Sequence, residues 1–219
     1  MSIDYRRHDK MAPKIKFSKE EIIAAALDLA RKEGIDAVTA RKLGDKLGVS
    51  PRPIFTWFDN MGQVRLAVYD AAKTVFKQYM EKGLSEPIPF LGAGRQHICF
   101  AKEETWLYKL LFLTKPNGTS GGVQENMEFM QELVLDSVMR IYNMSEAAAK
   151  KYFRNMWLVS TSFATMIVTD DCPFTDEEMS QILSEISLSV CMGLKKVKGM
   201  ADGSFDRDAI FSELKSEYV

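Results

Sequence analysis

The sequence predicts an all-α chain of two domains, and three observations carry that prediction. Apolar residues recur at three- and four-residue steps through most of its length, and no alternating run of strand type stands out. Ser18 with Glu21, and Thr175 with Glu178, have the spacing of a capping box, in which a hydroxyl and a carboxylate satisfy the first free N–H groups of a helix. A polar, proline-containing stretch, Ser85-Glu86-Pro87-Ile88-Pro89, interrupts the helical pattern and marks a boundary. At 219 residues the chain can bury one large core or two modest ones. No run of about 18 apolar residues is present, so no membrane span is expected. The N-terminus lacks the apolar stretch of a secretory signal. Cys99, Cys172 and Cys191 are far apart and form no CxxC pair, which predicts reduced thiols in a cytoplasmic protein rather than a disulfide or zinc framework.

Residues 1–16 are polar and aperiodic, with Arg6, Arg7, Lys10, Lys14 and Lys16, and read as a flexible basic arm. Ser18 opens the first helix. Ile22, Ile23, Ala26, Leu27, Leu29 and Ala30 give it an amphipathic stripe, and Gly34 is its expected left-handed cap. Thr39 caps a second, shorter helix that stops at Gly48, with Ala40, Leu43 and Leu47 as its buried stripe. A third, Pro51 to Phe58, is predicted to follow a Ser50 cap. Both of its prolines fall in the first turn, where a missing N–H costs little. Gln63 to Gly83 reads as a longer linking helix with Val64, Ala67, Val68, Ala71, Val75 and Tyr79 on one side. The domain boundary falls between Asn60 and Pro87, giving residues 17–65 to the first domain and 84–219 to the second.

In the second domain, Leu91–Ala101 and Glu103–Leu113 are predicted as short helices. Lys115 to Gly122 is a loop by its Pro, Asn, Gly and Ser content. Gln124–Tyr142 is helical, and Ser145 caps a long helix over residues 146–170. Asp171-Cys172-Pro173-Phe174 turns the chain into a last long helix, residues 175–197.

Two short helices joined by a glycine-containing turn, behind a supporting helix, make a helix-turn-helix, whose second helix enters the major groove of DNA. The charge distribution agrees with such a partner. Residues 1–65 hold thirteen Lys or Arg against nine Asp or Glu, while the rest of the chain is acidic and the whole carries −1. The run Val38-Thr39-Ala40-Arg41-Lys42-Leu43-Gly44-Asp45-Lys46-Leu47-Gly48-Val49-Ser50, followed by Ile54-Phe55-Thr56-Trp57-Phe58, resembles the signature of TetR-type regulators. The resemblance implies that Thr39, Arg41 and Lys42 meet the DNA backbone. It further implies that Ser50, Arg52, Pro53, Phe55, Thr56 and Trp57 face the duplex. Arg52 is the candidate for reading a guanine, since a guanidinium matches O6 and N7. Leu43, Leu47, Val49, Ile54 and Phe58 are core positions. The sequence departs from the family at Phe55, usually tyrosine, and at Met61, usually lysine; each departure removes a phosphate contact.

The same resemblance implies a homodimer through helices 146–170 and 175–197, acting on a double-stranded DNA operator. The stripes available to the partner copy, part of each of which must also serve the core of the single chain, are Trp157, Ser160, Thr161, Ala164 and Val168, and Met179, Ile182, Leu183, Ile186, Val190 and Leu194. Between the DNA-binding helices and the paired helices the family holds a small-molecule pocket. Its candidate residues here are Phe90, His97, Phe100, Trp106, Phe112, Met127, Met130, Tyr152, Met156, Trp157 and Phe163, which suit a mostly apolar effector. The implied function is a repressor released from its operator by that effector. The alternative, motivated by Phe55 and Met61, is a protein of the same fold acting through protein partners. An enzyme is not expected: only His8 and His97 are present, without a HExxH, Cys–His or Gly-rich phosphate motif. No metal or cofactor is expected either.

Overall fold

Local capping chemistry sets four of the helix starts in the computed structural model, which describes residues 17–114 and 122–216. The basic arm predicted for 1–16 and all but the last residue of the 115–122 loop lie outside the described residues. The chain divides into two compact units, Met1–Val68 and Tyr69–Val219.

In the first unit, α1 (Lys19–Glu33) carries the predicted capping box, with Ser18 Oγ accepting from the Glu21 N–H and Glu21 Oε2 accepting from the Ser18 N–H at 2.7 Å. Gly34 closes α1 by donating its N–H to Ala30 O at 2.9 Å. Its φ of 85° is positive as expected, but its ψ of 168° is not that of a left-handed cap. The chain leaves the helix at once for a 3₁₀ turn, Ile35–Ala37. Helix α2 (Ala40–Leu47) begins at Thr39, whose Oγ1 accepts from the Lys42 N–H, and ends at Gly48 in the left-handed region, φ 67° and ψ 33°. Its buried stripe is narrower than predicted: Leu43 and Gly44 are buried, while Ala40 and Leu47 are half-buried. Ile22, Ala26, Leu29, Ala30, Val38, Leu43, Ile54, Phe58, Val64 and Val68 form the core of this unit.

The third helix departs from prediction. It is a 3₁₀ helix, Arg52–Thr56, with Pro51 before it and no side-chain cap from Ser50. Pro53 has no N–H to give, and a proline disfavours the α-region for the residue before it, so the turn tightens to i→i+3 bonds. Ile54 donates to Pro51 O and Trp57 to Ile54 O, both at 3.1 Å.

Helix α3 (Met61–Leu84) runs through the boundary between the units. Its buried residues are Val64, Val68, Tyr69, Ala72, Phe76 and Met80. The predicted Ala67, Ala71, Val75 and Tyr79 lie one position aside and are half-buried. The second unit continues with α4 (Pro89–Glu103), then α5 (Thr105–Tyr108), which widens into a π-helical turn, Lys109–Leu113. There follow α6 (Val123–Tyr142), α7 (Glu146–Val168), α8 (Asp176–Lys196) and α9 (Arg207–Ser216). The last was not anticipated. No strand occurs among the described residues. Gly83 and Gly92 let the end of α3 and the start of α4 touch backbone to backbone. A methyl group on Gly92 would lie 2.3 Å from Gly83 O.

Helix α7 sits at the centre of this unit, packing on α4, α6 and α8. That position divides the predicted stripes between the core of the chain and its surface. Trp157, Ser160, Ala164 and Val168 are buried within the chain, as are Met179, Leu183 and Leu194 of α8. What these helices leave outside is a different apolar set: Leu158 at 58% exposure, Leu188 at 62% and Met192 at 42%, with Thr161, Ile182, Ile186 and Val190 half-buried.

Candidate nucleic-acid interface and apolar cavity

The turn between α2 and the 3₁₀ helix is built on close backbone approach. Val49 donates its N–H to Gly44 O at 3.0 Å, and a Cβ on Gly44 would stand 2.8 Å from Val49 O and 3.3 Å from Pro51 N. No side chain fits there without moving main chain. Gly44 thus carries the geometry of the turn, a role that the apolar pattern alone did not reveal. Leu43, Ile54 and Phe58 are buried beneath it, whereas the predicted core residues Leu47 and Val49 are half-buried.

Of the nine predicted interface residues, Arg41, Lys42, Ser50, Arg52, Phe55, Thr56 and Trp57 are exposed, and Thr39 and Pro53 half-buried. They fall into two groups. Thr39, Arg41 and Lys42 lie at the start of α2, and the other six in or beside the 3₁₀ helix. Arg41 and Arg52 make no ion pair among the described residues, which leaves both guanidinium groups available to an external anion. Lys42 is held at 2.6 Å by Glu33. Lys46 and Lys32 both donate to Asp28, whose carboxyl their hydrogen bonds hold below its ordinary range. The pattern separates scaffold charges from free ones. Phe55 is 45% and Trp57 41% exposed, unusual for two large aromatics two positions apart on a small unit. Trp57 is not loose: its indole N–H donates to Phe17 O at 2.9 Å, which fixes the ring while leaving its face open.

The second unit encloses a cavity of about 30 Å³ lined by residues of α3, α4, α6, α7 and α8. Five of the eleven predicted pocket residues line it: Phe90, His97, Met130, Met156 and Trp157. The other six do not. Phe100 packs on Phe76 and Tyr79, and Phe112 on Tyr108 at 4.7 Å. Tyr152 shares a 2.6 Å hydrogen bond with Ser187, and burial pushes its hydroxyl pKa well up. Phe163 meets Phe174 edge-on at 5.5 Å. Trp106 is 42% exposed beneath the Lys109 ammonium, and Met127 is half-buried. Residues missed from the sequence include Met80, Val134, Phe153 and Leu183, ordinary apolar positions with nothing local to single them out, and Ser160.

His97 is the chemical centre of the cavity wall. It is 2% exposed, and its Nδ1 lies 3.1 Å from Ser160 Oγ. The ring stacks on Trp157 at 4.8 Å, with Phe76, Phe112 and Tyr108 within 5.8 Å. Burial alone pushes its pKa down to about 3, because no acid stands near to stabilise the cation, so the imidazole is neutral at physiological pH. Its Nε2 is buried without a hydrogen-bond partner. Among the described residues no group of His, Cys, Asp and Glu is arranged to hold a metal ion, and no helix is long and apolar enough to cross a membrane.

Residues 22–68 match the family of bacterial regulatory proteins named tetR. No curated protein matches the chain. Among solved structures, a TetR variant from Acinetobacter baumannii AYE in complex with minocycline is similar at a TM-score of 0.53 and 19% identity, over 84% of this chain and 99% of that one. At that identity the likeness is one of fold, and it extends beyond the matched domain to the helices of the second unit.

Proposed function

We propose that this chain is a DNA-binding regulator of the TetR type, and that it acts as a homodimeric repressor released by a small, mostly apolar molecule. The observation that carries the reading is the exposed 3₁₀ helix held behind a Thr39-capped α2, with Arg52 free of any acid among the described residues. In this reading Arg52 donates to O6 and N7 of a guanine, while Ser50, Pro53, Phe55, Thr56 and Trp57 line the groove around it. Thr39 and Arg41 meet phosphates, as does Lys42 on exchanging its exposed Glu33 partner for one. Phe55 keeps an aromatic contact but has no hydroxyl for a phosphate, so that binding leans more on the charged residues. Two copies are needed because one such helix reads too few base pairs for a specific site. Helices α7 and α8 supply the dimer surface through the outward Leu158, Leu188 and Met192 rather than through their inward stripes. Effector in the cavity and operator on the DNA-binding residues then weaken each other's binding by the same factor.

Fluorescence anisotropy with a duplex from upstream of the gene, against a scrambled duplex at physiological salt, tests this. Tight binding to the native duplex with two chains per site is expected. Replacing Arg52 with Ala should lower that affinity by about 1–3 kcal/mol and relax preference at one base pair per half-site. Equal, weak binding to both duplexes, unchanged in R52A, would instead favour the reading in which the fold serves protein partners.

A further inference from the structure

We propose that the cavity of the second unit takes an uncharged, largely apolar molecule that donates one hydrogen bond, from a hydroxyl or an N–H, to Nε2 of His97. This deepens the effector reading of the same cavity and rests on it.

The direction of the hydrogen bond follows from counting protons. Ser160 has a single hydroxyl proton, and its Oγ stands 3.2 Å from Trp157 O and 3.1 Å from His97 Nδ1. If the serine donates to the carbonyl, it accepts from Nδ1–H, and both contacts are hydrogen bonds. If it donates to the imidazole instead, one of them is lost and a buried N–H on Nε2 is stranded. The first arrangement makes two bonds rather than one, so the proton belongs on Nδ1 and Nε2 carries a bare lone pair. The four surrounding rings hold the imidazole so that it cannot turn this nitrogen to solvent. A buried acceptor without a partner is costly, and a ligand donor relieves that cost. A ligand that offers only an acceptor there meets a second lone pair.

The rest of the wall sets the class. Apart from His97, Ser160 and the Trp157 indole, the thirteen lining residues are apolar or glycine. No Lys, Arg, Asp or Glu is among them, and the neutral imidazole supplies no cation, so a charged ligand would lose its hydration without a counter-ion. At about 30 Å³ the cavity has room for water but is too small for an organic molecule as it stands. Met80, Met130 and Met156 line it, and such unbranched side chains repack around a guest at small cost.

Isothermal titration of the full chain with four matched probes tests the proposal: 4-propylphenol, 4-propylanisole, propylbenzene and 4-propylbenzoate. The phenol should bind about tenfold tighter than its methyl ether. Propylbenzene should bind near the ether, and the benzoate should not bind. In H97F the preference for the phenol should vanish while propylbenzene still binds. Equal affinity for phenol and ether, or tighter binding of the benzoate, overturns the hydrogen-bond assignment and leaves the effector cavity standing. Binding by none of the four overturns both. The ¹⁵N shifts of His97 in the free protein give a check independent of any variant, since a protonated Nε2 would overturn the proposal directly.

Discussion

Acidification from pH 7 to pH 5 should destabilise the second unit by about 2 kcal/mol through His97 alone. The imidazole has an ordinary value of 6.5 once unfolded and about 3 when folded, because burial penalises the cation. Between these values the unfolded chain binds a proton that the folded chain refuses. Unfolding therefore takes up protons, and stability falls as pH falls. This is the opposite sense to a histidine that gains an acidic partner on folding. Each pH unit in the window is worth about 1.4 kcal/mol. At pH 7 almost nothing is lost, at pH 5 about 2 kcal/mol, and the decline levels off as the pH nears 3. Urea unfolding followed by circular dichroism at the two pH values, in the parent and in H97F, measures the difference. Other groups titrate alike in both proteins. Asp28, held low by hydrogen bonds from Lys46 and Lys32, is stabilising above its unfolded value of 3.8 and loses its contribution only below it. The parent should lose about 2 kcal/mol more than the variant over the interval. An equal loss in the two would refute the claim that His97 is buried neutral.

Three further outcomes are expected. Replacing Gly44 with Ala adds about 1 kcal/mol of helix propensity but places a methyl 2.8 Å from Val49 O, where main chain must move. Overpacking of this kind costs about 1–3 kcal/mol. The net effect is a lower melting temperature with weakened operator binding, and a raised melting temperature at full affinity would contradict it. Replacing Thr175 with Ala removes the hydroxyl that accepts from the Glu178 N–H and should cost about 1 kcal/mol, read as a lower urea midpoint. Replacing Leu188 with Glu, at a position 62% exposed in the single chain, should leave the helical circular dichroism intact and convert dimers to monomers in analytical ultracentrifugation. An unchanged dimer would remove α8 from the interface.

Much of the chain was legible because its signals are local. The caps at Ser18, Thr39, Ser145 and Thr175 each rest on a hydroxyl meeting an N–H three residues on. Such a bond needs no other part of the protein, so sequence order is enough to predict it. The left-handed Gly48 between α2 and the 3₁₀ helix is local in the same way, and with it the whole spacing of the helix-turn-helix. The exposure of Arg52, Phe55 and Trp57 follows from their place on that short helix or directly after it, away from the buried Ile54.

Where two rows of a helix are equally apolar, periodicity cannot choose between them, and only neighbours in space can. In α3 the row through Tyr69, Ala72, Phe76 and Met80 was chosen over Ala71, Val75 and Tyr79. In α7 the stripe through Trp157, Ser160 and Ala164 turned inward, because this helix is packed by α4, α6 and α8 at once. The cavity belongs to the same class of facts. Its wall draws on five helices, and its one unsatisfied nitrogen exists because Ser160 lies 63 positions along the chain from His97 and reaches only its Nδ1. The sequence by itself determined the capped helix starts at Ser18, Thr39, Ser145 and Thr175 and the turn at Gly48, since those depend on hydrogen bonds a few residues long. Which faces are buried, and which buried polar atom goes unanswered, is a matter of long-range packing, and only the tertiary structure decided it.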